Sequence, residues 1–371
     1  MHTNVPHLRF PEFEGEWEKC KLGDIAALTK GSGISKDQRS ATGVPCILYG
    51  ELYTTYKSEV IDSVISKTDV SDKNLVRSCA NDIIIPSSGE TAIDISTARC
   101  VLSSNVLLGG DLNIIRLKDG DGRFFSYQLN GVRKHDIAKI AQGVSVVHLY
   151  AESIKGLIVH FPSKKEQQKI STLLSLIDER IATQSKLIEK LESLIKGIAQ
   201  KIVCSNKPNV RLSECVECSS STLQESDVCE YGAYPVYGAN GIVGYLNNYN
   251  TDGEAVYIIK DGSGVGAVSY VTGECSATGT LNTLQAKDGY SLQYLYYMLK
   301  VFNFEPYKTG MAIPHIYFRD YGKAMVFCPS YTKQLQYARL LSAIDSKLSV
   351  KKNILTSLRL QKQYLLRQMF I

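Results

Sequence analysis

Few residues of this chain could carry out chemistry on their own, and the clearest motif among them is a glycine-rich segment. Gly262, Gly264 and Ala267 fit G-x-G-x-x-A, a pattern that holds a dinucleotide pyrophosphate when it closes a strand and opens a helix. The residues that follow, VSYVTGE, are β-branched and aromatic and predict a strand. The segment therefore predicts a turn between two strands, not a nucleotide site.

Two cysteines have the spacing of half a zinc site. Cys215 and Cys218 form C-x-x-C, but a structural zinc ion needs a second pair of ligands, and no His lies near them in the sequence. The alignment of RL at 211–212 with KL at 21–22 places the two thiols opposite Ile25 and Leu28. That position favours two small core residues over a metal site.

Two histidines recur in matching segments. His148 lies in GVSVVHLY and His315 in GMAIPHIY, 167 positions later. A structural hydrogen bond ahead of the following helix is a better explanation than catalysis. The chain contains no G-x-x-x-x-G-K-S/T, G-x-S-x-G, H-E-x-x-H or N/D-P-P-Y/F motif, so it is predicted not to be catalytic by itself.

A long segment occurs twice in the sequence, and it predicts the elements that hold the rest of the chain in place. PSKKEQQKISTLLSLID begins at Pro162, and PSYTKQLQYARLLSAID begins at Pro329. Apolar residues recur three and four apart in both copies, which predicts two long helices with a coiled-coil seam. The seam comprises Leu174, Ile177, Ile181, Ile188, Leu191 and Ile195 in the first copy and Leu341, Ile344, Leu348, Leu355, Leu358 and Leu365 in the second.

Polar residues interrupt the seam at the same repeat position of the two copies, Gln184 and Lys351, and the second copy has a further lysine, Lys362, in the seam. A single polar seam residue often fixes register and partner choice. Each copy spans about 40 residues, which at ~1.5 Å per residue makes a rod of roughly 60 Å.

The globular segments between the helices repeat more loosely. LNIIRLKDG at 112–120 matches LNTLQAKDG at 281–289. Strands are predicted at 44–50, 81–90, 112–120, 254–266 and 281–289, and helices at 124–140 and 291–300. The predicted organisation is an N-terminal tail (1–16), a first module (17–162), a first long helix (163–204), a second module (205–329) and a second long helix (330–371). The predicted fold class is α+β, with two pseudo-repeated α/β modules separated by two long antiparallel coiled-coil helices.

The topology follows from covalent continuity. The first helix carries the chain from one module to the next, so a packed second helix runs back, and the modules are expected at opposite ends of a rod related by an approximate two-fold axis. Two inverted modules at a fixed separation suit a split target on duplex DNA.

Composition restricts the class of partner and the compartment. The 371 residues include 42 Lys and Arg against 37 Asp and Glu, a net charge of +5. This mild excess permits an anionic partner without demanding one. The start, MHTNVPHLRF, lacks the layout of a secretory signal. We therefore expect a cytoplasmic location, with the ten cysteines as free thiols.

The segments LRFPEFEGEW, KLGDI, YPVYGANGIVG, GVSVVHL and GMAIPHI, together with the duplicated PSKKEQQKISTLLSLID, closely resemble the specificity subunit of type I restriction–modification enzymes over nearly the whole chain. The resemblance implies two target-recognition domains, each reading half of a bipartite, asymmetric DNA sequence, and two helical spacers that dock two modification subunits. S-adenosylmethionine for adenine methylation would be bound by those partners. ATP and Mg²⁺ would belong to a restriction subunit, in complexes that restrict as well as modify DNA.

On this resemblance, polar turns at strand ends are the candidates for reading bases, while lysines and arginines would contact phosphates. The first choices are Ser87, Ser88 and Glu90 in the first module and Lys260, Asp261 and Ser263 in the second; the second choices are Tyr49, Glu51, Tyr237 and Asn240. The phosphate candidates are Lys30, Lys36, Arg39 and Arg99. For each, an ordinary surface turn or solvated charge is the competing explanation.

A second function class remains open at this point. The same architecture fits a non-catalytic scaffold whose rod spaces two protein-binding modules. The two hypotheses differ in whether the chain, with its neighbour-encoded partners present, binds duplex DNA.

Overall fold

The computed structural model describes residues 4–70 and 74–371. The chain divides into two compact units. Unit 1 comprises Met1–Gln184 and Ile354–Ile371, and unit 2 comprises Ser185–Asn353. Each unit therefore contains one globular module and part of both long helices.

The module of unit 1 is built on two sheets. Its strands are β1 (Glu18–Lys21), β2 (Ala26–Lys30), β3 (Arg39–Ser40), β4 (Val44–Ile47), β5 (Val60–Ile61), β6 (Lys67–Thr68), β7 (Asp82–Pro86), β8 (Ser88–Gly89), β9 (Arg99–Val101), β10 (Leu107–Leu108), β11 (Leu112–Leu117), β12 (Val147–His148) and β13 (Ile158–Phe161). Its short helices are α1 (Leu22–Ile25), α2 (Glu51–Thr54), α3 (Ala92–Ile95), α4 (Gly122–Asn130), α5 (Lys134–Ile140) and α6 (Ala151–Lys155). The central sheet has the order β2-β11-β7-β9-β5, and a second has the order β10-β4-β6-β3.

The core of unit 1 lies between the central sheet, α4 and the ends of both long helices. Trp17 is 2% exposed, and its ring packs edge-on against Phe124 of α4 at 5.6 Å and against Phe370 at 6.4 Å. Burial of large aromatic side chains is a major source of core stability. The last residues of the chain thus belong to the core of the first module.

The module of unit 2 repeats the central sheet with one strand fewer. The elements are β14 (Val210–Arg211), α8 (Leu212–Cys215), β15 (Val216–Ser220), β16 (Tyr234–Gly238), β17 (Gly241–Leu246), β18 (Glu254–Ile259), β19 (Val268–Thr272), β20 (Ser276–Ala277), β21 (Leu281–Ala286), α9 (Leu292–Leu299), α10 (Phe318–Tyr321) and β22 (Met325–Val326), with α7 (Lys164–Cys204) before them and α11 (Tyr331–Gln368) after them. The sheet order is β15-β21-β18-β19, with a second sheet β17-β16-β20. β19 confirms that a strand, not a helix, follows the glycine-rich turn.

The two long helices run antiparallel in each unit. In unit 1, Lys362 of α11 forms an ion pair with Asp178 of α7 at 2.5 Å. In unit 2, Lys352 forms one with Glu192 at 2.7 Å. Residue numbers fall along α11 as they rise along α7, so the antiparallel packing that was predicted is confirmed.

Every predicted seam residue is buried or half-buried. Leu174 and Leu341 are fully inaccessible to solvent. Gln184 is half-buried, and its side-chain oxygen is buried without a hydrogen-bond partner among the described residues. The apolar stripe accounts for the packing, because a helix of this length is held mainly by its buried face.

A glutamine near the start of each long helix ties that helix to its module. The Gln167 side chain donates to the backbone carbonyl of Pro162 at 2.8 Å and accepts from the backbone N–H of Asp121 at 2.9 Å. Gln334 makes the same pair of bonds, to Pro329 at 2.9 Å and from Ser291 at 2.9 Å. Both receiving N–H groups belong to N-cap residues, of α4 and α9. The repeat in sequence is thus a repeat in hydrogen bonding.

The segment 124–140 departs from the single helical stretch that was predicted. It forms α4 and α5, because α4 ends at Asn130 and Gly131 follows. Glycine is a poor helix former, and a Cβ at Gly131 would lie 3.0 Å from the carbonyl oxygen of Tyr127. Gly131 leaves the helical backbone conformation, with φ −87° and ψ −109°, and its lack of a Cβ accommodates the turn that ends α4.

Among the described residues, no helix is both long enough and apolar enough to cross a membrane.

Candidate nucleic-acid interface

The turn that follows β7 in unit 1 is held from both sides. The backbone N–H of Ser87 donates to the carbonyl of Asp111 at 2.8 Å, and the Ser87 carbonyl accepts from Leu149 at 2.9 Å. Ser88 pairs with His148 in the short ladder of β8 and β12. Ser87 is buried and Ser88 half-buried, whereas Glu90 is exposed. The backbone is thus fixed while the outer end of the turn presents an exposed carboxylate.

Unit 2 holds the equivalent turn in the same way. The N–H of Lys260 donates to the carbonyl of Thr280 at 3.0 Å, and the Lys260 carbonyl accepts from Ile316 at 2.9 Å. Asp261 pairs with His315 through a β-bridge. Lys260 and Asp261 are half-buried and Ser263 is exposed.

The strand registers establish that these turns correspond. Pro86 of β7 lies opposite Leu112, and Ile259 of β18 lies opposite Leu281. Leu112 and Leu281 begin the matching LN segments. Ser87, Ser88 and Glu90 are therefore the structural counterparts of Lys260, Asp261 and Ser263. The same backbone frame carries two different sets of hydrogen-bonding groups.

The two repeated histidines close these turns. His148 exchanges backbone hydrogen bonds with Gln142 at 2.7 and 2.9 Å, and His315 does so with Thr309 at 2.7 and 2.9 Å. In unit 2 the ring also participates, with His315 Nδ1 2.8 Å from Asp261 Oδ1. A histidine in this position brings the segment before α6 in unit 1, and the segment before α10 in unit 2, against the turn, which is a structural role.

Beside the turn of unit 1 lies an open cavity of about 1390 Å³. It brings together the predicted residues Lys36, Arg39, Tyr49 and Glu90 on one surface. Residues that the sequence analysis missed also line it: Ser35, Gln38, Tyr53, Asp94 and Asp111. These residues come from loops and from the short helices α2 and α3, and no periodic sequence pattern predicts that these segments lie close together.

Glu51 lines this cavity but has a structural role. Its carboxylate accepts from the backbone N–H of Leu48 at 2.9 Å and from the Ser66 hydroxyl, and Arg39 lies 3.6 Å away. The residue is 5% exposed. Its acceptor groups are engaged inside the module, so Tyr49, which is 40% exposed, is the freer of this pair of candidates.

Arg99 is not available for a phosphate contact. It is 8% exposed and donates to the carbonyls of Leu52, Tyr56 and Ala98 at 3.0–3.3 Å. Burial lowers the pKa of its guanidinium. The expectation of a phosphate-binding Arg99 is therefore wrong, because the side chain ties β9 to α2 and to the loop that follows α2. Lys30, at the end of β2, is exposed as a phosphate contact requires.

The second-choice candidates of unit 2 lie on one hairpin. Tyr237 is in β16, half-buried, with its ring 5.7 Å from that of Tyr257, and burial raises its pKa. Asn240 is exposed in the two-residue turn between β16 and β17. Of the two, Asn240 has the more accessible hydrogen-bonding groups.

The C-x-x-C pair does not converge on a common ligand position. Cys215 is fully buried, with its Sγ 3.7 Å from the Sγ of Cys328. Cys218 lies on β15, where burial raises the pKa of its thiol to about 11. No group of three or more His, Cys, Asp or Glu in residues 4–70 and 74–371 is placed to hold a metal ion.

The family of type I restriction modification DNA specificity domains matches residues 14–193 and 205–360. The two matches cover most of both modules and both long helices. The chain belongs to this family, whose members supply sequence recognition and whose catalytic activities reside in partner subunits.

Individual relatives agree with the family assignment. The chain is 24% identical over 383 residues to a protein of Mycoplasma genitalium named as a type I specificity subunit, with 95% of this chain and 94% of that protein covered. It is 26% identical over 198 residues to the type I restriction enzyme MjaVIII specificity subunit of Methanocaldococcus jannaschii, with 53% and 43% covered.

Solved structures show the same fold. The crystal structure of the type I restriction–modification S subunit from M. genitalium superposes with a TM-score of 0.74, at 20% identity and with 99% of each chain covered. A chain from a structure on complex assembly and conformational transition of the type I system superposes with a TM-score of 0.53, at 15% identity, over 95% of this chain and 97% of that one.

Proposed function

We propose that this chain gives a type I restriction–modification complex its DNA sequence specificity, with each module reading one half of a bipartite, asymmetric target. The observation that carries the proposal is the shared turn. One backbone frame holds Ser87, Ser88 and Glu90 in unit 1 and Lys260, Asp261 and Ser263 in unit 2, and of these six residues only Ser87 is buried. Base edges are distinguished by their donor and acceptor patterns, so two unlike sets of groups in one frame suit two unlike half-sites.

Exposed apolar residues on the long helices indicate that these helices bind partner proteins. Leu176 and Leu194 of α7 and Leu340 and Leu360 of α11 are each about half exposed or more. Large exposed apolar residues on otherwise polar helices favour a protein interface. The proposed occupants are two modification subunits, joined in some complexes by restriction subunits, and acting on chromosomal DNA in the cytoplasm.

The cofactors of the reaction belong to those partners in this proposal. S-adenosylmethionine would bind to the modification subunits, and ATP with Mg²⁺ to a restriction subunit. This chain would hold the target in register while the partners act.

Truncation before α11 tests the assembly half of the proposal. A chain ending at residue 330 lacks the whole of α11, and it should fail to co-purify with the neighbour-encoded modification subunit that the full chain retains. A truncated chain that assembles fully would contradict the proposal.

Duplex binding tests the recognition half. The assembled complex, incubated with a pool of random duplexes, should enrich one gapped sequence, and omission of this chain should abolish the enrichment. A complex that assembles but enriches no duplex would instead favour a scaffold for two protein-binding modules.

A further inference from the structure

A tyrosine of the module donates a hydrogen bond to an aspartate of the long helix in both units, but the surroundings of this aspartate differ between them. In unit 1, the hydroxyl of Tyr127 donates to Asp178 Oδ2 at 2.7 Å and lies 3.3 Å from the hydroxyl of Ser175. In unit 2, the hydroxyl of Tyr297 donates to Asp345 Oδ2 at 3.2 Å. The helix repeat aligns Asp178 with Asp345, and Tyr127 and Tyr297 occupy the same position of α4 and α9.

In unit 1 this position is filled by a lysine of the same chain. Lys362 Nζ donates to Asp178 Oδ1 at 2.5 Å and to Glu59 Oε2, and it lies 5.5 Å from the centre of the Tyr127 ring. All three charged side chains are 14% exposed or less. An ammonium group with two carboxylates and an aromatic face satisfies both charge and hydrogen bonding.

In unit 2 the chain supplies no such lysine. The helix repeat places Ile195 at the position of Lys362, and Ile195 is 3% exposed. Asp345 is half-buried and forms no ion pair with any residue in the described part of the chain. A carboxylate in this setting has a hydroxyl donor from Tyr297 but lacks the cation that its counterpart has.

The space for a cation is present in unit 2. A pocket of about 260 Å³ beside Asp345 is lined by Tyr270, Tyr296, Tyr297, Ser342 and Ser349. This volume is far larger than one water molecule needs. The central sheet explains the opening, because among the described strands of unit 2 it ends at β19, whereas unit 1 adds β5, which directly follows Glu59.

The rings around the pocket suit an organic cation. Tyr296 lies 5.4 Å from Tyr270 and 4.8 Å from Tyr297 between ring centres. Lys300 Nζ lies 5.1 Å from the centre of the Tyr296 ring, and this lysine is exposed. Aromatic rings beside a carboxylate favour an alkylammonium over a small hydrated metal ion, which prefers several oxygen ligands.

We propose that the pocket formed by Tyr270, Tyr297 and Asp345 binds a primary alkylammonium group that comes from outside the chain, as the equivalent position in unit 1 binds the ammonium of Lys362. The source is either a lysine side chain of a partner protein or a free amine. In both cases the ammonium donates to Asp345, and the alkyl chain packs against the tyrosine rings.

The test uses the purified full chain and n-butylammonium as the probe, with n-butanol as the neutral control, followed by ligand-observed saturation-transfer NMR. We expect saturable binding of the ammonium and none of the alcohol. Asp345→Asn should weaken binding at least roughly tenfold, since a charge-assisted hydrogen bond is lost. Asp288→Asn, which changes an exposed carboxylate of the same module, should leave binding unchanged.

A second variant supplies the ammonium group from the chain itself. Ile195→Lys places a lysine where unit 1 has Lys362, and it should abolish butylammonium binding while the chain stays folded, as thermal unfolding will report. Absence of binding to the unaltered chain would overturn the proposal. Equal binding by the Asp345→Asn and Asp288→Asn variants would also overturn it.

Adding the modification subunit then distinguishes the two sources of the amine. Loss of the butylammonium signal when the modification subunit is added, with weaker assembly of the Asp345→Asn variant, assigns the pocket to a partner's lysine. A signal that persists in the assembled complex assigns it to a free amine.

Discussion

The side-chain oxygen of Gln167 accepts a 2.9 Å hydrogen bond from the backbone N–H of Asp121, which is the N-cap of α4. Both groups are buried, and the long helix α7 is thereby joined to the start of α4. Gln167→Ala leaves a buried N–H without its partner, so the free energy of unfolding should fall by about 1–3 kcal/mol. Urea denaturation measures this loss.

Gln168→Ala is the matched control, since Gln168 is the next residue of the same helix and is exposed. It should change stability by less than about 0.5 kcal/mol. Equal losses in the two variants would contradict the anchoring role of Gln167.

The ion cluster of Lys362 with Asp178 and Glu59 should be far more sensitive to substitution than a surface pair. Lys362→Met leaves two nearly buried carboxylates without a cation, and the expected loss is about 3–5 kcal/mol. Lys352→Met removes the exposed partner of Glu192 and should cost at most about 1 kcal/mol. Thermal or urea unfolding of both variants compares the two costs, and similar values would show that the cluster contributes no more than a surface ion pair.

His160 should make the chain sensitive to acid. Burial, with help from Arg133 and Lys19, lowers its pKa below the usual 6.5, and Arg133 Nη2 lies 2.8 Å from Nδ1. Because the folded pKa is the lower one, the unfolded chain binds the proton more readily. Stability from this group is complete above pH 6.5 and is lost as the pH falls through the folded pKa.

His160→Gln should remove that part of the acid sensitivity. Melting temperatures of the two chains at pH 7.5 and pH 5.5 test this, with a smaller drop expected for the variant. An unchanged drop would assign the acid sensitivity to other groups.

Substitution in the unit 2 turn should affect only one half of the DNA target. Lys260→Ala is expected to weaken or relax recognition at one half-site and to leave the other unchanged, since each turn belongs to a separate module. Lys287→Ala, at the opposite end of β21, is the control and should leave both half-sites unchanged. Competition binding by the assembled complex, with duplexes altered in one half at a time, measures the effect, and equal loss at both half-sites would contradict separate reading.

The repeated elements of the fold could be predicted because their signals are local or periodic. The heptad seam predicted α7 and α11, and the LN segments predicted β11 and β21. The register of those strands then places Ser88 and Asp261 in equivalent turns, which the sequence had indicated only as polar turns at the ends of strands.

Contacts between residues distant in sequence could not be predicted. Glu51 and Arg99 have the residue types of surface binding groups, yet both are buried by loops 15 to 47 positions away. The pairing of Lys362 with Glu59 joins residues 303 positions apart. The strand β5 distinguishes the two modules, because the central sheet of unit 2 ends at β19 among the described strands. It has only two residues, which is too short for a periodic sequence pattern.

Base-resolved adenine methylation of the source genome, with and without this gene, tests whether this chain confers DNA specificity. Deletion should remove methylation from one split, gapped motif, and complementation should restore it. Replacing residues 17–162 by the module of a relative should then change one half of that motif. If every methylated motif persists after deletion, in cells where the modification subunit is expressed and methylates DNA, this chain does not specify the target.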